Sequence, residues 1–248
     1  MHRFFINSKD IYDDNINITG EDYNHMKRVL RLKCGENITL SDGMGNEYVA
    51  EIKDFGDGFA NARIIERYKN LTEPPIEVTL YQGLPKSDKM DFIIQKSVEL
   101  GISRIVPVFT ERTVVRLDIG KDAAKKCERW NRISQEAAKQ CNRGIIPKIE
   151  IPISFKEALK QAQDTALSLI PYEKETKNSI KQILKATGNI SKVSVFIGPE
   201  GGFTEKEIDE AVNCGLYSVT LGPRILRTET AGIAVLSILM YELGDVGQ

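Results

Sequence analysis

Two loops near the end of the chain hold the residues whose types and spacing best fit chemistry. The first loop, residues 198–203, reads Gly-Pro-Glu-Gly-Gly-Phe, and its glycines would let the backbone approach a ligand closely. The second loop, residues 222–230, carries a dense polar set made of Arg224, Arg227, Thr228, Glu229 and Thr230. Such a set suits the stabilisation of developing charge better than covalent catalysis.

Apolar residues interrupt the second loop, where polar residues are the norm. They are Leu221, Ile225 and Leu226. They could plug the core beneath the loop, or they could form the wall of a site for a flat apolar group such as adenine, with backbone amides reading its edge. The residues alone leave both interpretations open.

Several familiar site types lack their sequence signatures. The first loop is not the Gly-x-Gly-x-x-Gly of dinucleotide-binding folds, and the chain has no Gly-x-x-x-x-Gly-Lys phosphate loop, which disfavours a dehydrogenase and nucleoside triphosphate chemistry. No Gly-x-Ser-x-Gly nucleophile elbow is present. The four cysteines are scattered and there are only two histidines, so we expect neither a metal site nor a disulfide framework.

Short apolar runs precede both loops, and helices follow them. Residues 195–197 and 218–221 are typical of buried strands. Thr204 and Glu207 have the spacing of a capping box, and a small-residue helix is predicted from Ala231 onward. Because ligands of open α/β sheets bind beyond the carboxyl ends of the strands, we expect the two loops to form one site.

The amino-terminal part of the chain predicts a small, mostly β module. An opening strand at residues 2–6 is followed by a short helix capped by Thr19. Strand-like runs then occur at residues 37–41, 47–52 and 60–65, with glycine-containing turns between them.

Beyond a polar linker that ends in Pro74 and Pro75, strands and helices alternate. The predicted strands are 76–82, 102–109, 148–151 and 166–170, and the predicted helices are 88–101, 122–141, 155–162 and 179–186. Such alternation implies a mostly parallel sheet with helices on both faces. We therefore place the domains at residues 1–72 and 73–248.

The composition bounds the location of the protein. The chain has 248 residues and a formal net charge of -1. Its longest apolar stretch, residues 231–241, is shorter than the roughly 20 residues that span a bilayer, and no presequence is visible. A cytoplasmic location is expected, because the cysteines show no disulfide pattern.

Positive charge concentrates on two helical surfaces. His25 and Arg28 share one face of the first short helix, with Arg31 turned toward it. The helix predicted at residues 122–141 carries a basic stripe, interrupted by Glu136, that consists of Lys121, Lys125, Arg129, Arg132, Lys139 and Arg143. The stripe is either a solvated face or a phosphate-binding surface for RNA or DNA.

Short motifs occur in a fixed order along nearly the whole chain. They are His2-Arg3-Phe4-Phe5, His25 with Val29-Leu30-Arg31, Lys96 with Glu99-Leu100-Gly101, Arg112, Arg129-Trp130, Glu136-Ala137 with Gln140, Arg143, Gly198 to Gly202, and Leu221 to Ala231. In these motifs the sequence resembles the RsmE family of ribosomal RNA methyltransferases, within the SPOUT superfamily. The last two motifs together are highly specific, whereas Cys141 and Asn142 stand where we expect serine and glycine.

The resemblance implies a fold class and a reaction. The fold would be α/β, with an amino-terminal PUA-like RNA-binding β-barrel and a SPOUT domain that contains a deep trefoil knot. The protein would act as a homodimer. S-adenosyl-L-methionine would be the methyl donor, and N3 of one uridine in 16S ribosomal RNA, within the assembled small subunit, would be the acceptor.

The resemblance also assigns site residues by position. The cofactor residues would be Leu169, Ile170, Pro171, Tyr172, Gly198, Pro199, Glu200, Gly201, Gly202, Leu221, Gly222, Ile225, Leu226 and Thr230. The RNA-binding residues would be Arg3, His25, Arg28, Arg31, Lys125, Arg129, Arg132, Lys139 and Arg143.

The implied reaction suggests a catalytic hypothesis. Uridine N3 carries a proton, so the enzyme must favour its loss and stabilise the charge that spreads to O2 and O4. We expect Arg227, and next Arg3 or Arg112, as stabilisers. Glu229 would either orient an arginine or accept the proton through water. The sulfonium of the donor already activates the methyl carbon, so no metal is required.

Two other functions remain open at the level of the sequence. A non-catalytic RNA-binding assembly factor would bind the small subunit without affinity for S-adenosyl-L-methionine. A SPOUT methyltransferase that acts on another RNA, such as transfer RNA, would share the cofactor site but not the target.

Overall fold

The computed structural model describes residues 1–86, 88–115, 121–188 and 190–247, with the backbone but not the side chain of Lys121. It divides into two compact units. Unit 1 comprises residues 1–73 and 138–146, and unit 2 comprises residues 74–137 and 147–248.

Unit 1 is a curled, six-stranded sheet. Its elements are β1 (Arg3–Phe5), β2 (Ile11–Tyr12), β3 (Asn15–Thr19), α1 (Gly20–Asn24), β4 (Asn37–Ser41), β5 (Asn46–Phe55) and β6 (Phe59–Lys69), with a 3-10 turn at Ser8–Asp10 and a π-helix at His25–Val29. The strand order is β1-β4-β5-β6-β3-β2. Only β1 and β4 are parallel among these pairs. The sheet encloses an apolar core that includes Phe4, Ile16, Ile38 and Met26.

Two details of unit 1 differ from the sequence prediction. Strands β2 and β3, which pair with each other, were not predicted, although Ile16 and Ile18 are buried and alternate with exposed residues, which is the pattern of a half-buried strand. Thr19 stands at the start of α1, but its side chain makes no capping hydrogen bond, so that prediction was wrong. The reason is that Thr19 also ends β3, where it pairs with Phe59.

Unit 2 contains a seven-stranded sheet in which every pairing is parallel. Its elements are β7 (Glu77–Gly83), α2 (Lys89–Glu99), β8 (Arg104–Phe109), α3 (Lys121–Gln140), β9 (Lys148–Ile149), β10 (Ile153–Ser154), α4 (Phe155–Ala162), β11 (Leu167–Pro171), α5 (Ile180–Thr187), β12 (Lys192–Ile197), α6 (Glu205–Asn213), β13 (Tyr217–Val219) and α7 (Thr228–Glu242). The order is β10-β8-β7-β12-β11-β13, and β9 also pairs with β8. The predicted parallel sheet is confirmed. The last residues of α3 belong to unit 1.

Helices cover both faces of this sheet, because neighbouring strand residues point to opposite sides. On one face, the rings of Tyr81 and Phe196 stack with centroids 4.4 Å apart, and they share a core with Phe155 of α4. On the other face, Leu80 of β7 and Gly232 of α7 lie together, since a Cβ on Gly232 would meet the Leu80 side chain at 3.8 Å. Among the described residues, no helix has both the length and the apolar character needed to cross a bilayer.

Helix α7 begins earlier than the sequence predicted. Its first residue is Thr228 rather than Ala231, and the extended backbone of Arg227 precedes it. Glu229 therefore lies in the first helical turn, where a carboxylate is favourable beside the unpaired amides. The second polar loop thus ends at Arg227.

An ionic cluster joins residues 138–146 to the rest of unit 1. Arg143 is only 4% exposed, and its Nη2 lies 2.6 Å from Oε2 of Glu73. The other Glu73 oxygen accepts hydrogen bonds from the backbone amides of Gly144 (2.9 Å) and Ile145 (3.0 Å). Arg3 donates to the Arg143 carbonyl at 2.6 Å and to Glu47 at 2.5 Å. These contacts attach the segment to the rest of unit 1 through charge-assisted hydrogen bonds.

We expect Arg143→Met to lower the free energy of unfolding by about 3 kcal/mol, because loss of one partner leaves the Glu73 carboxylate without its counter-charge in a partly buried place. Urea denaturation would measure this change. Arg132→Met is the matched control, since Arg132 is an exposed arginine of α3 and its loss should cost no more than about 0.5 kcal/mol. Equal stability of the two variants would contradict a structural role for the Arg143 pair.

Candidate functional site

A cavity of about 850 Å³ opens at the carboxyl edge of the unit 2 sheet. Three loops line it: residues 171–176 after β11, residues 197–203 after β12, and residues 220–228 after β13. These three strands are neighbours in the sheet, so their carboxyl ends bring the loops together. The structure thus brings together the two loops that were expected to form one site. The loop after β11 also lines the cavity.

The glycine loop packs directly onto the end of β7. A Cβ on Gly83 would lie 2.6 Å from Cδ of Pro199, so only glycine allows this approach. Within the loop, a Cβ on Gly198 would lie 3.0 Å from the backbone of Gly202. Gly202 itself has a φ of +67°, which favours glycine. The glycines therefore fold the loop tightly and leave its backbone open toward the cavity.

A buried hydrogen-bond chain fixes the glycine loop to the start of α7. The Thr228 hydroxyl donates to the Gly198 carbonyl at 2.6 Å and accepts from Nε2 of Gln82 at 2.9 Å. Gln82 is fully buried at the end of β7, and Thr228 is also buried. These hydrogen bonds thus set the distance between the glycine loop and the start of α7, which form two walls of the cavity.

Most of the residues predicted to bind a cofactor line this cavity. They are Pro171, Tyr172, Gly198, Pro199, Glu200, Gly201, Gly202, Leu221, Gly222, Ile225 and Leu226. Leu169 and Ile170 do not, because both are fully buried in β11 and enter the cores beside the sheet. Thr230 is exposed in the first turn of α7 and is not part of the lining.

The proposed catalytic residues fall in different places. Arg227 is exposed and lines the cavity. Glu229 lies with its Oε2 3.3 Å from Nζ of Lys89. Arg112 donates from Nη1 to the Gly201 carbonyl at 2.7 Å, so it borders the glycine loop. Arg3 belongs to unit 1, where Glu47 and backbone carbonyls accept its hydrogen bonds.

The capping box at α6 holds the turn that carries Arg112. The predicted box is confirmed, with the Glu207 amide bonded to the Thr204 hydroxyl and the Glu207 carboxylate bonded to the Thr204 amide. Glu207 is buried, and its other oxygen accepts from the backbone amide of Glu111 at 2.8 Å. One carboxylate therefore both starts α6 and positions the turn beside the glycine loop.

Charged residues that the sequence interpretation did not single out also line the cavity. They are Lys89, Glu173 and Glu175. Lys89 bridges Glu200 and Glu229 from the first turn of α2. Burial opposes ionisation of Glu200, but hydrogen bonds from its own amide, the Lys86 amide and Lys89 outweigh it and hold the pKa of Glu200 below its ordinary value. The sequence contained a signal for Lys89: a lysine in the first turn of a predicted helix is unfavourable unless an acidic group nearby pairs with it.

The predicted RNA-binding residues divide into exposed and engaged side chains. In unit 1, His25, Arg28 and Arg31 are exposed, and Arg31 has a φ of +54°. Lys139 pairs with Asp22 at 3.2 Å, and Arg143 is buried against Glu73. In unit 2, Lys125 and Arg132 are exposed, and Arg129 pairs with Asp91. Within the described ranges, no cluster of three or more His, Cys, Asp or Glu residues could hold a metal ion.

Comparison with known protein families identifies both parts of the chain. Residues 72–240 match the family described as RNA methyltransferase domain, and residues 18–65 match the RNA methyltransferase PUA domain. The expected fold class, a PUA-like module followed by a SPOUT domain, is confirmed, whereas the trefoil knot stays a prediction.

Similar proteins of known name cover nearly the whole chain. Ribosomal RNA small subunit methyltransferase E of Bacillus subtilis is 36% identical over 98% of this chain and 97% of its own length. The protein of the same name from Mesomycoplasma hyopneumoniae is 36% identical over 96% of this chain and 98% of its own length. The crystal structure of the Neisseria gonorrhoeae protein of that name, bound to S-adenosyl methionine, has a TM-score of 0.87 and 34% identity and covers 99% of each chain. The chain therefore belongs to the ribosomal RNA small subunit methyltransferase E family.

Proposed function

We propose that this protein methylates N3 of one uridine in 16S ribosomal RNA, with S-adenosyl-L-methionine as the donor and the assembled small subunit in the cytoplasm as the substrate. The observation that carries the proposal is the cavity at the carboxyl edge of β11, β12 and β13, whose lining includes most of the residues assigned to the cofactor. The relative from Neisseria gonorrhoeae, which was crystallised with S-adenosyl methionine, supports it.

The cavity suits this cofactor in size and in chemistry. Its volume of about 850 Å³ is within the usual range for sites that enclose a small ligand. Gly201 and Gly202 leave backbone within reach of a ligand, and Leu221 and Leu226 offer apolar walls for a flat base. Carboxylates at the rim, including Glu200, complement a cationic centre. When bound, S-adenosyl-L-methionine supplies a methyl carbon that is activated by its sulfonium.

The protein's own task is to manage the charge and proton of the uridine. Arg227 and Arg112 would stabilise the anion that forms on the base oxygens, since both guanidinium groups lie in or beside the cavity. Among the residues that the structure describes, Glu229 pairs with Lys89 rather than with an arginine, which leaves acceptance of the N3 proton through water as its proposed role. The two loops position the reacting groups.

Exposed basic residues in each unit would contact the RNA backbone. In unit 1, His25 and Arg28 belong to the π-helix, a rare helical form that is common at functional sites, and Arg31 follows it. In unit 2, the exposed Lys125 and Arg132 lie on α3. Contacts to phosphates give affinity without sequence selection, so target choice would depend on contacts to the bases.

A homodimer is the proposed assembly. Helix α7 is apolar around its whole circumference, which is typical of a helix that is buried on all sides. Ile233 and Ile238 nevertheless remain partly exposed, and Tyr241 is 67% exposed. A second copy of the chain would cover this face.

The proposed function is tested by methyl transfer. S-adenosyl-L-methionine with an isotope-labelled methyl group is incubated with small subunits that lack the modification, and the digested RNA is analysed by mass spectrometry. Label in 3-methyluridine at a single site is the expected result. Label in another nucleoside would refute the target, and binding of the subunit without any label would favour a non-catalytic assembly factor.

Arg227→Ala should lower kcat about 100-fold or more, because it removes one donor to the developing oxyanion, while the Kd for S-adenosyl-L-methionine changes little. Single-turnover kinetics and calorimetry separate the two effects. Arg224→Ala is the control, since Arg224 belongs to the same loop and has the same charge. Equal losses in both variants would remove Arg227 from the catalytic set.

Tyr241→Glu should convert the dimer to monomers at micromolar concentration, because it places a charge on the exposed apolar face of α7. Sedimentation equilibrium measures the mass. Tyr12→Glu, at a tyrosine of unit 1 that is 65% exposed, should leave the dimer intact. A wild-type protein that is monomeric throughout would refute the proposed assembly.

A further inference from the structure

Lys89 contacts two carboxylates at the cavity rim and has no assigned role in the proposed reaction. Its Nζ lies 3.1 Å from Oε1 of Glu200 and 3.3 Å from Oε2 of Glu229. The same Glu200 oxygen accepts the backbone amide of Lys86 at 3.1 Å. The side chains of Lys89, Glu200 and Glu229 are 33%, 30% and 18% exposed, so the three groups lie at the cavity rim and are only partly solvated.

The three residues come from three separate elements. Lys89 begins α2, Glu200 lies in the glycine loop, and Glu229 is in the first turn of α7. The glycine loop is not part of a strand pairing, and its glycines have little intrinsic conformational preference. An ion pair to a rigid helix restricts the freedom of such a loop.

Electrostatics make the ammonium group necessary at this position. Without it, two carboxylates would face each other in a partly desolvated place, and the flexible loop could relieve the repulsion by moving outward. The ion pair with Glu200, followed by that with Glu229, outweighs burial and raises the pKa of Lys89, so the ammonium stays charged at physiological pH.

We propose that Lys89 is a positioning residue that clamps Glu200 to Glu229 and so holds the glycine loop in the conformation that receives S-adenosyl-L-methionine. This inference rests on the proposed function for the identity of the ligand, but the clamp itself is a property of the free protein. The clamp therefore predicts one effect on ligand affinity and one effect on the mobility of the loop in the ligand-free protein.

The ligand experiment compares S-adenosyl-L-methionine with S-adenosylhomocysteine, which lacks the sulfonium charge. Lys89→Met should weaken both ligands about tenfold, because the loop is no longer held in place. If Lys89 acted only through its charge, its removal would make the rim more negative and would favour the cationic ligand over the neutral one. Calorimetry on the full-length protein gives both Kd values, and Lys89→Arg should restore most of the affinity.

The ligand-free experiment is hydrogen exchange of a peptide that covers residues 198–203. Exchange should be several-fold faster in Lys89→Met than in the wild type. Lys89→Met combined with Glu229→Gln should recover part of the protection, because it removes the repulsion between the two carboxylates but does not restore the ion pairs. Lys96→Met is the matched control on α2, since Lys96 has similar exposure (35%) and also loses an ion pair, to Glu99 at 2.8 Å. It should change neither exchange nor affinity.

The outcomes separate the clamp from the proposed function. Faster exchange with equal loss of both ligands supports the clamp. Unchanged exchange in a folded Lys89→Met protein, or a selective gain for the cationic ligand, overturns it. Wild-type protein that binds neither ligand would refute the proposed function, and hydrogen exchange would still decide whether Lys89 holds the loop.

Discussion

The geometry of the cavity depends on one buried hydroxyl. Thr228 donates to the carbonyl of Gly198 and accepts from Gln82, and thereby joins the end of β7, the glycine loop and the start of α7. All of these groups would be costly to leave unpaired in the interior, so the arrangement is strongly favoured over looser alternatives. The glycine loop also packs closely on the end of β7, because residue 83 is glycine and leaves room for Pro199.

Charge is arranged around this fixed centre. The parallel sheet gathers three loops at one edge, and helix amino termini arrive at the same edge because helices follow the strands. Glu207 uses its two oxygens to start α6 and to hold the Arg112 turn, and Lys89 joins two further carboxylates. The site is thus built from side chains that each serve two elements, which limits how far any one loop can move independently.

Unit 1 uses a different means of organisation. Its curled sheet has an apolar core, whereas residues 138–146 are held by Glu73, Arg143 and Arg3 through charge-assisted hydrogen bonds. Arg143 belongs to a predicted RNA-binding stripe, yet its guanidinium is buried within this cluster. A basic residue on a helical stripe can therefore serve the fold rather than a nucleic acid, and only the position of its partners distinguishes the two.

The sequence by itself determined what depends on local signals. The capping box of Thr204, the glycine loop and the alternation of strands and helices specified the fold class and two of the three cavity loops, because caps, turns and periodicity act over a few residues. Only the tertiary structure decided which partners meet across the sheet. Leu169 lies in the core, because the face to which a strand residue points depends on how the strand packs in the sheet. Lys89 lies at the cavity rim, because it pairs with a carboxylate that is far away in the sequence.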